Sequence, residues 1–391
     1  MTELEQGKVE KHHFVCLPYL NFGNIPEVKL GFATVWNFNI LSEKYIPDQA
    51  LREHVAKTLG NYRASYPYEQ DGMDIYPPVH GIGMISVDVP TEKELSELEK
   101  QRANDARLIL FISHLARRNT ITRNANSGHG MASSENYSPI YFSAVVGSKY
   151  STEFTGFVIP SWHGGIEIEK NMIIRPKHIP TPNFDPEVEL LNALIKMRLK
   201  HKRNFRRLIS AVEVFYESYY NAHEVSRNAR ILLQTSAFEI LLDTHSGGGR
   251  EVLKALLKKE ATYPEDRQLS FKSERRGHTV MERGTVREKW ADRFFTLRNH
   301  ITHGHVPKDS EYYFSKWQSH CDIALYFFIF CLKRKIEEAF GKEMFGDDVV
   351  WKTWTDDLRV PPQTYTGFEY EHMGQRWWER SMAKLRKQGK L

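Results

Sequence analysis

The stretch VREKWADRFFTLRNHITH, residues 286–303, predicts an amphipathic helix. Its apolar residues recur at i, i+4, i+7 and i+11 and form one stripe on a helix face: Trp290, Phe294, Leu297 and Ile301. Gly304 follows at once, and Pro307 comes three residues later. We therefore expect the helix to end at His303, and its stripe to be buried against neighbouring elements.

The sequence around this helix is almost wholly helical, from a proline-rich segment at 175–186 onward. Four prolines in that segment cannot continue a helix or a central strand, so we place a domain boundary there. The predicted helices cover 187–222 (one long helix or two), 226–243, 250–259, 286–303 and 311–340. Because the connections between them are short, they predict an antiparallel bundle.

Before the boundary, strand-like runs rich in β-branched and aromatic residues dominate, at 29–40, 82–89, 140–148, 152–160 and 166–174. One helix is predicted among them, capped by Thr91 with Glu94 and running to Arg118. The fold class is thus α+β. A mixed α/β domain is expected over 1–180, an all-α bundle over 187–340 and a C-terminal extension over 341–391.

Composition narrows the class of protein. The 391 residues are 41% hydrophobic and 26% charged, which is typical of a globular chain. The net charge of +5 permits an anionic partner. Three cysteines without a CxxC pair favour a reducing compartment. The N-terminus has no apolar signal core, and the longest apolar run is about half the ~20 residues of a membrane span. We therefore expect a cytoplasmic protein with no membrane association.

The stretch LRNHITHGH, residues 297–305, gathers chemically capable side chains. Arg298 lies about 70° from the centre of the apolar stripe, where its guanidinium can reach a groove. His303 would lie about 140° away on a continuing helix, but a helix that ends there could let it turn back. Asn299, four residues before His303, could orient the imidazole. Two other interpretations stay open: a polar surface, and a zinc site formed by His300, His303 and His305.

The pattern Arg298-Asn299-x-x-x-His303-Gly304, near the end of a helix in a helical bundle, resembles the HEPN superfamily. These proteins are typically metal-independent endoribonucleases with an Arg-x4-6-His motif. The helix at 226–243 is similar to the HEPN helix that carries an acidic residue, here Glu239. The resemblance covers roughly 187–340. It implies RNA cleavage without a metal or other cofactor.

These residue types suit that chemistry. Metal-free RNA cleavage uses the 2′-OH as nucleophile, and DNA lacks this group. Histidine titrates near neutrality, so His303 could transfer protons, while Arg298 could neutralise phosphate. Glu239 would hold Arg298 from behind, or would pair with some other basic group. The alternative function is a catalytically inactive HEPN-like protein that binds RNA or serves as a scaffold.

Partners follow from the same resemblance. Phosphate transfer needs proton work on both sides of phosphorus, so we expect a homodimer with a composite site, as is common in HEPN nucleases. The aromatic run ALYFFIF (324–330) could join such a contact or pack in the core. Seven of the twelve residues in 196–207 are basic. They are candidates to bind RNA phosphates or to form a solvated helix face, above all Lys202, Arg203, Arg206 and Arg207. The implied substrate is transfer or messenger RNA, in a defence, toxin–antitoxin or stress system. The N-terminal domain would receive a regulatory partner or ligand.

Overall fold

The computed structural model describes residues 11–63, 68–70, 73–75, 79–87, 95–117, 134–145, 151–154, 173–174, 183–219, 225–244, 248–259, 269–275, 278–314 and 319–345. The chain divides into two compact units. The first comprises Met1–Phe111 and Ala132–Asp185, and the second comprises Ile112–Met131 and Pro186–Leu391. Both helices and a sheet are present, so the α+β class is confirmed at that level.

The first unit is built on a six-stranded antiparallel sheet. The strands in chain order are β1 (Lys11–Asn21), β2 (Glu27–Lys29), β3 (Ala33–Asn37), β4 (Tyr62–Arg63), β5 (Tyr68–Gln70), β6 (Met73–Ile75), β7 (Ile82–Val87), β8 (Ile140–Val145), β9 (Ser151–Phe154) and β10 (Ile173–Ile174). The sheet order is β2-β3-β7-β1-β8-β9, and every neighbouring pair is antiparallel. β4 pairs with β10 in parallel, and β5 with β6 in antiparallel.

The central strand β1 was not among the predicted strands. It contains Pro18, which cannot donate to a ladder and argues against a central strand. The sheet accommodates the proline with an irregularity, because the β1–β7 register shifts between Leu17 and Asn21. Most of β1 is buried on both faces from Val15 onward, so it lacks the alternation of a half-exposed strand.

Two predicted elements of this unit begin or end elsewhere. The run 29–40 was predicted as one strand, but the strand ends at Asn37. The side chain of Asn37 then caps α1 (Phe38–Tyr45), which is followed by α2 (Gln49–Leu59). The helix predicted from Thr91 is α3 (Glu97–Leu115). Its capping box uses Ser96 and Glu99, whose side chains each bond the other's backbone N–H. The polar stretch 119–138, which its sequence predicts to be a long loop, lies largely outside the described residues.

The second unit contains six described helices. They are α4 (Val188–Lys200), α5 (Lys202–Ser218), α6 (Arg227–Leu242), α7 (Gly249–Lys259), α8 (Val286–Thr302) and α9 (His320–Phe340). The predicted helix 187–222 is thus two helices, divided at His201, whose ψ of 56° is not helical. The predicted helix 311–340 begins only at His320, behind the N-cap Ser319. Residues Asp309–Tyr312 form a separate 3-10 turn.

The expectation that this half is almost wholly helical was wrong. Strands β11 (Leu269–Arg275) and β12 (His278–Gly284) form a hairpin before α8, with Leu269 opposite Gly284 and Arg275 opposite His278. Most of β12 is exposed, so its sequence carries no apolar alternation. The proposed C-terminal extension lies outside the described residues from 346 onward.

Aromatic rings form the centre of the helical core. Trp290 packs on the ring of Phe294 at 4.9 Å and on that of Phe327 at 4.5 Å, and Phe215 stacks on Phe328 at 4.2 Å. The aromatic residues of the 324–330 run are all buried here. This run is therefore core and does not offer the dimer contact that its sequence suggested.

Candidate active site

Helix α8 ends in a Schellman motif, which fixes the geometry of the 297–305 stretch. The N–H of Gly304 donates to the carbonyl of Ile301 at 3.1 Å, and that of His305 donates to the carbonyl of His300 at 3.0 Å. Gly304 has a φ of +79°, which glycine adopts without steric cost. The predicted end of the helix is confirmed, because His303 is its C-cap.

Arg298 is held by two oxygens. Its Nη2 lies 3.4 Å from Oε2 of Glu239, which α6 supplies, and its Nη1 donates to Oδ1 of Asn299 at 3.1 Å. Of the two partners open for Glu239, the geometry shows Arg298. The side chain of Arg298 remains 29% exposed, so its guanidinium is restrained in direction but still reachable from solvent.

Gly249 packs closely against the side chain of Glu239. A Cβ on this first residue of α7 would lie 2.8 Å from Cγ of Glu239 and 3.1 Å from the ring of Phe295. Real side chains do not approach so closely, so a residue without a Cβ lets α7 begin against α6 and α8. From the sequence alone, the glycine run at 247–249 predicts the end of the helix before it. The helix before it already ends at Leu242, where Asp243 takes a left-handed φ of 60°.

His303 is exposed and leaves α8 on a different side from Arg298. Its N–H still bonds the carbonyl of Asn299 at 3.0 Å, and its φ of −89° keeps it in the helical turn. Five residues of helical rotation therefore separate Arg298 and His303 by about 140°. The expectation that His303 turns back was wrong, because the chain reverses one residue later, at Gly304.

Asn299 serves Arg298 rather than His303. Its amide oxygen accepts from the guanidinium, and within the described part of the chain the imidazole of His303 makes no hydrogen bond. The i, i+4 spacing of Asn299 and His303 is instead used by the backbone, through the bond between His303 N–H and the Asn299 carbonyl. The orientation predicted for the imidazole is therefore not observed.

The other two histidines of the stretch belong to a separate cluster. Nε2 of His300 lies 2.8 Å from Oε2 of Glu274 on β11, and Nδ1 lies 4.0 Å from Oε1 of Glu311. The Schellman motif brings His305 back to His300, with ring centroids 5.6 Å apart. Among the described residues, no group of three or more His, Cys, Asp or Glu side chains is arranged to hold a metal ion. The zinc interpretation therefore gains no support.

A cavity of about 330 Å³ lies beside the His300 face of α8. Its walls come from both hairpin strands, α8, the 309–313 segment and the start of α9. Two residues in its wall, Thr296 and His320, were not singled out from the sequence. Nothing in their spacing reveals them, because they are brought together only when these elements pack.

Asp292 also lines this cavity and ties α8 to the hairpin. It is 1% exposed, and its Oδ1 accepts from the hydroxyl of Ser273 at 2.7 Å. Burial raises the pKa of the Asp292 carboxyl, although the Ser273 hydroxyl and the cations of Lys254 and Arg250 oppose that rise. Lys254 Nζ and Arg250 Nη1 stand 3.8 and 3.6 Å from Oδ1. The carboxyl thus joins β11, α7 and α8.

The basic residues predicted to bind RNA lie in the first turns of α5. Lys202, Arg203 and Arg206 are exposed and fall within an arc of about 100° around the helix axis. The guanidinium of Arg206 lies over the ring of Phe205 at 5.7 Å. Arg207 is half-buried and pairs with Asp243 beyond the end of α6. Three of the four side chains therefore face solvent, and the fourth joins two helices.

Comparisons with protein-family models, with curated proteins and with solved structures found no match to this chain. Over the residues that the structure describes, no helix is long and apolar enough to cross a membrane. What the protein does is therefore inferred from the side chains around α8.

Proposed function

We propose that this protein is a metal-independent endoribonuclease that uses Arg298 and His303. One observation carries the proposal: the end of a single helix holds a guanidinium fixed by Glu239 and Asn299, and an exposed imidazole five residues later. This is the residue pattern for which the HEPN resemblance was noted. A guanidinium restrained from behind and open in front is suited to binding a phosphate.

The proposed reaction needs only these groups. An imidazole removes the proton of the 2′-OH, and the 2′ oxygen attacks phosphorus. The bond from phosphorus to the 5′ oxygen breaks, and that oxygen takes a proton from a second imidazolium, which His303 of the other subunit would supply. The products are a 2′,3′-cyclic phosphate and a free 5′-OH. Arg298 would stabilise the charge on the non-bridging oxygens during the transfer.

Two copies of the chain are needed to complete this site. The divergence of about 140° keeps Arg298 and His303 of one chain from flanking one phosphate. A two-fold axis near the end of α8 would bring Arg298 of each subunit toward the other subunit's His303. Val306, two residues beyond Gly304, is 91% exposed and could provide apolar contact there. We therefore propose a homodimer with one composite site, in which two Arg298 and two His303 side chains surround a single cleft.

Exposed basic residues at the start of α5 would extend the contact to RNA. Lys202 and Arg203 offer charges to neighbouring phosphates without reading sequence. Asp243 pairs with Arg207 beyond α6, the helix that also carries Glu239. The substrate would be transfer or messenger RNA in a defence, toxin–antitoxin or stress response. The first unit would receive the regulatory partner or ligand. These contexts come from the resemblance.

The deciding experiment incubates the purified full chain with total RNA in excess EDTA. We expect cleavage that survives chelation and leaves 2′,3′-cyclic phosphate ends. A substrate with 2′-O-methyl groups should bind but stay intact, because its nucleophile is blocked. Cleavage that requires a divalent metal would contradict the mechanism. RNA binding without cleavage, even with cellular extract added as a source of activator, would favour the inactive binding protein.

The composite site has its own test, with co-expressed subunits carrying different tags. In a mixed dimer of R298A and H303A chains, the shared cleft keeps one Arg298 and one His303, which come from different subunits. If the site is composite, the mixed dimer should cleave RNA measurably faster than either homodimeric variant. If each chain uses its own pair, the mixed dimer has no intact site and should be inactive. A fully active monomer would also overturn the composite arrangement.

A further inference from the structure

Two residues in the wall of the cavity beside α8 each carry a buried polar atom that lacks a partner among the described residues. Oγ1 of Thr296 and Nδ1 of His320 make no hydrogen bond within the described residues, and His320 is only 2% exposed. Leaving such an atom unsatisfied destabilises the folded chain, and a bound partner would remove that cost. Both residues line the same cavity of about 330 Å³. This is the lower part of the size range of small-molecule sites.

The walls of the cavity favour a polar, planar ligand. Glu274 and Glu311 present carboxylates, which accept hydrogen bonds from amino groups. Tyr313 adds an aromatic ring to the wall, on which a flat heterocycle can stack. An anionic ligand is disfavoured, because three acidic side chains outnumber Lys272 and Arg293 among the fixed charges.

We propose that this cavity binds a nucleobase that carries an exocyclic amino group. Cytosine, adenine and guanine each present such a group beside a ring acceptor, whereas uracil has no amino group. The amino group would donate to the carboxylates, and the ring edge would satisfy Thr296 and His320. His320 is suited to this because burial lowers its pKa to about 3, so its ring stays neutral and can accept as well as donate.

The position of the cavity connects it to His303, and in this respect the inference rests on the proposed function. Thr296 lies about 20° from His303 around α8, and His300 lies about 60° from it. The rise from His300 to His303 is about 4.5 Å, less than the length of one nucleotide. A base seated in the cavity would therefore place the adjoining backbone on the His303 side of the helix. Such a pocket would make cleavage depend on the base next to the broken bond.

The test measures equilibrium binding of the four free nucleosides to the full chain by calorimetry, without any cleavage. We expect at least one of cytidine, adenosine and guanosine to bind about 5-fold or more tightly than uridine, since one hydrogen bond is worth about 1 kcal/mol. Thr296→Val and Glu274→Gln should each weaken that binding about 5-fold. Thr302→Val is the matched control, because Oγ1 of Thr302 bonds its own helix backbone and lies outside the cavity. Circular dichroism establishes that each variant is folded.

Three results would overturn the proposal. If no nucleoside binds at concentrations up to about 10 mM, the cavity holds only water. The amino group is not read if uridine binds as tightly as the other three. The nucleosides bind elsewhere if Thr296→Val and Glu274→Gln leave the affinity unchanged. RNA cleavage without nucleoside binding would contradict the proposed base pocket but not the proposed ribonuclease activity. Nucleoside binding without RNA cleavage would contradict the ribonuclease activity but not the pocket.

A strand and a free nucleotide could both supply the base. A 2′-O-methyl oligonucleotide distinguishes them, because it presents the base on a backbone that cannot be cut. Binding that falls when one nucleotide is made abasic identifies a strand. A nucleotide that binds while the oligonucleotide does not identifies a free ligand. Either result supports the base pocket.

Discussion

The two ends of α8 follow one helical stripe but are stabilised differently. Near its start, Thr285 and Glu288 form a capping box in which each side chain bonds the other's backbone N–H, and both residues are buried. Trp290 and Phe294 then pack in the aromatic core. Near its end, Arg298 forms hydrogen bonds with Glu239 and Asn299, and His303 is exposed.

This difference separates what the fold needs from what the chemistry needs. Burial of eight of the first twelve residues explains why α8 forms and where it lies. The last turn contributes little buried apolar surface, yet Glu239 and the close approach of Gly249 restrain Arg298 there. Polar side chains that are restrained without being buried are characteristic of functional sites. Substitutions at the two ends should therefore change different measurements.

The largest expected effect is at the exposed end. His303→Ala should reduce RNA cleavage about 10²–10⁴-fold, the usual contribution of a general acid or base. Its thermal midpoint should stay unchanged, because the side chain has no described hydrogen bond to lose. RNA cleavage rates test the expected loss of activity, and calorimetric melting tests the expected unchanged thermal midpoint. His278→Ala, an exposed histidine on β12, is the control and should keep full activity. Wild-type cleavage by the His303 variant would remove the proposed role.

The buried end should show the opposite behaviour. Trp290→Ala should lower the free energy of unfolding by about 3–5 kcal/mol, since Trp290 is fully buried among Phe238, Phe294 and Phe327. Urea unfolding measures this directly. Ile301→Ala, at the last position of the stripe and only half-buried, should cost much less. Equal losses of unfolding free energy at Trp290 and Ile301 would show that the two ends of α8 contribute equally to stability, against our expectation.

Much of α8 could be predicted because its information is local. The stripe formed by Trp290, Phe294 and Leu297 is buried as its spacing predicts, and Gly304 ends the helix. The T-x-x-E pattern at Thr285 forms a capping box that we did not predict from the sequence. The same pattern at Thr91 was chosen for α3, where Ser96 is the residue that caps. Local patterns therefore predicted correctly that a capping box begins the helix, but not always at which residue.

What escaped prediction depends on contacts between distant segments. Strand β12 is largely exposed, so its pairing with β11 leaves no apolar period in the sequence. β1 is central despite Pro18, because the irregularity that admits the proline forms only against β7. The contact of Glu239 with Arg298 spans 59 positions, so the sequence left its partner open. The cavity is likewise defined only after its elements pack.

His320 lies where the core meets the cavity, and its burial makes the free energy of unfolding depend on pH. Burial, with a smaller contribution from the Arg293 guanidinium, lowers its pKa from 6.5 to about 3. Below pH 6.5 the unfolded chain binds a proton that the native state refuses until about pH 3. Stability should therefore fall as pH decreases across this window, with a contribution of roughly 1.4 kcal/mol per pH unit. Urea unfolding of wild type and His320→Gln across the window measures it. Parallel pH curves for the two proteins would contradict it.

The smallest predicted effect concerns Glu239, a positioning residue that acts through Arg298. Glu239→Gln keeps the shape of the side chain but removes its charge, and a half-exposed ion pair of this kind is worth about 1 kcal/mol. We expect kcat to fall about 5-fold while KM stays the same. The guanidinium would still bind the phosphate of bound RNA, but it would be less well directed toward the charge of the transition state. Glu338→Gln is the matched control, since Glu338 also forms an ion pair, with Lys335 on α9, and lies away from the motif. A merely structural role for Glu239 would lower the melting temperature and leave kcat unchanged. If kcat and KM both keep their wild-type values, Arg298 is directed by Asn299 alone, and the end of α8 needs less support from α6 than its geometry indicates.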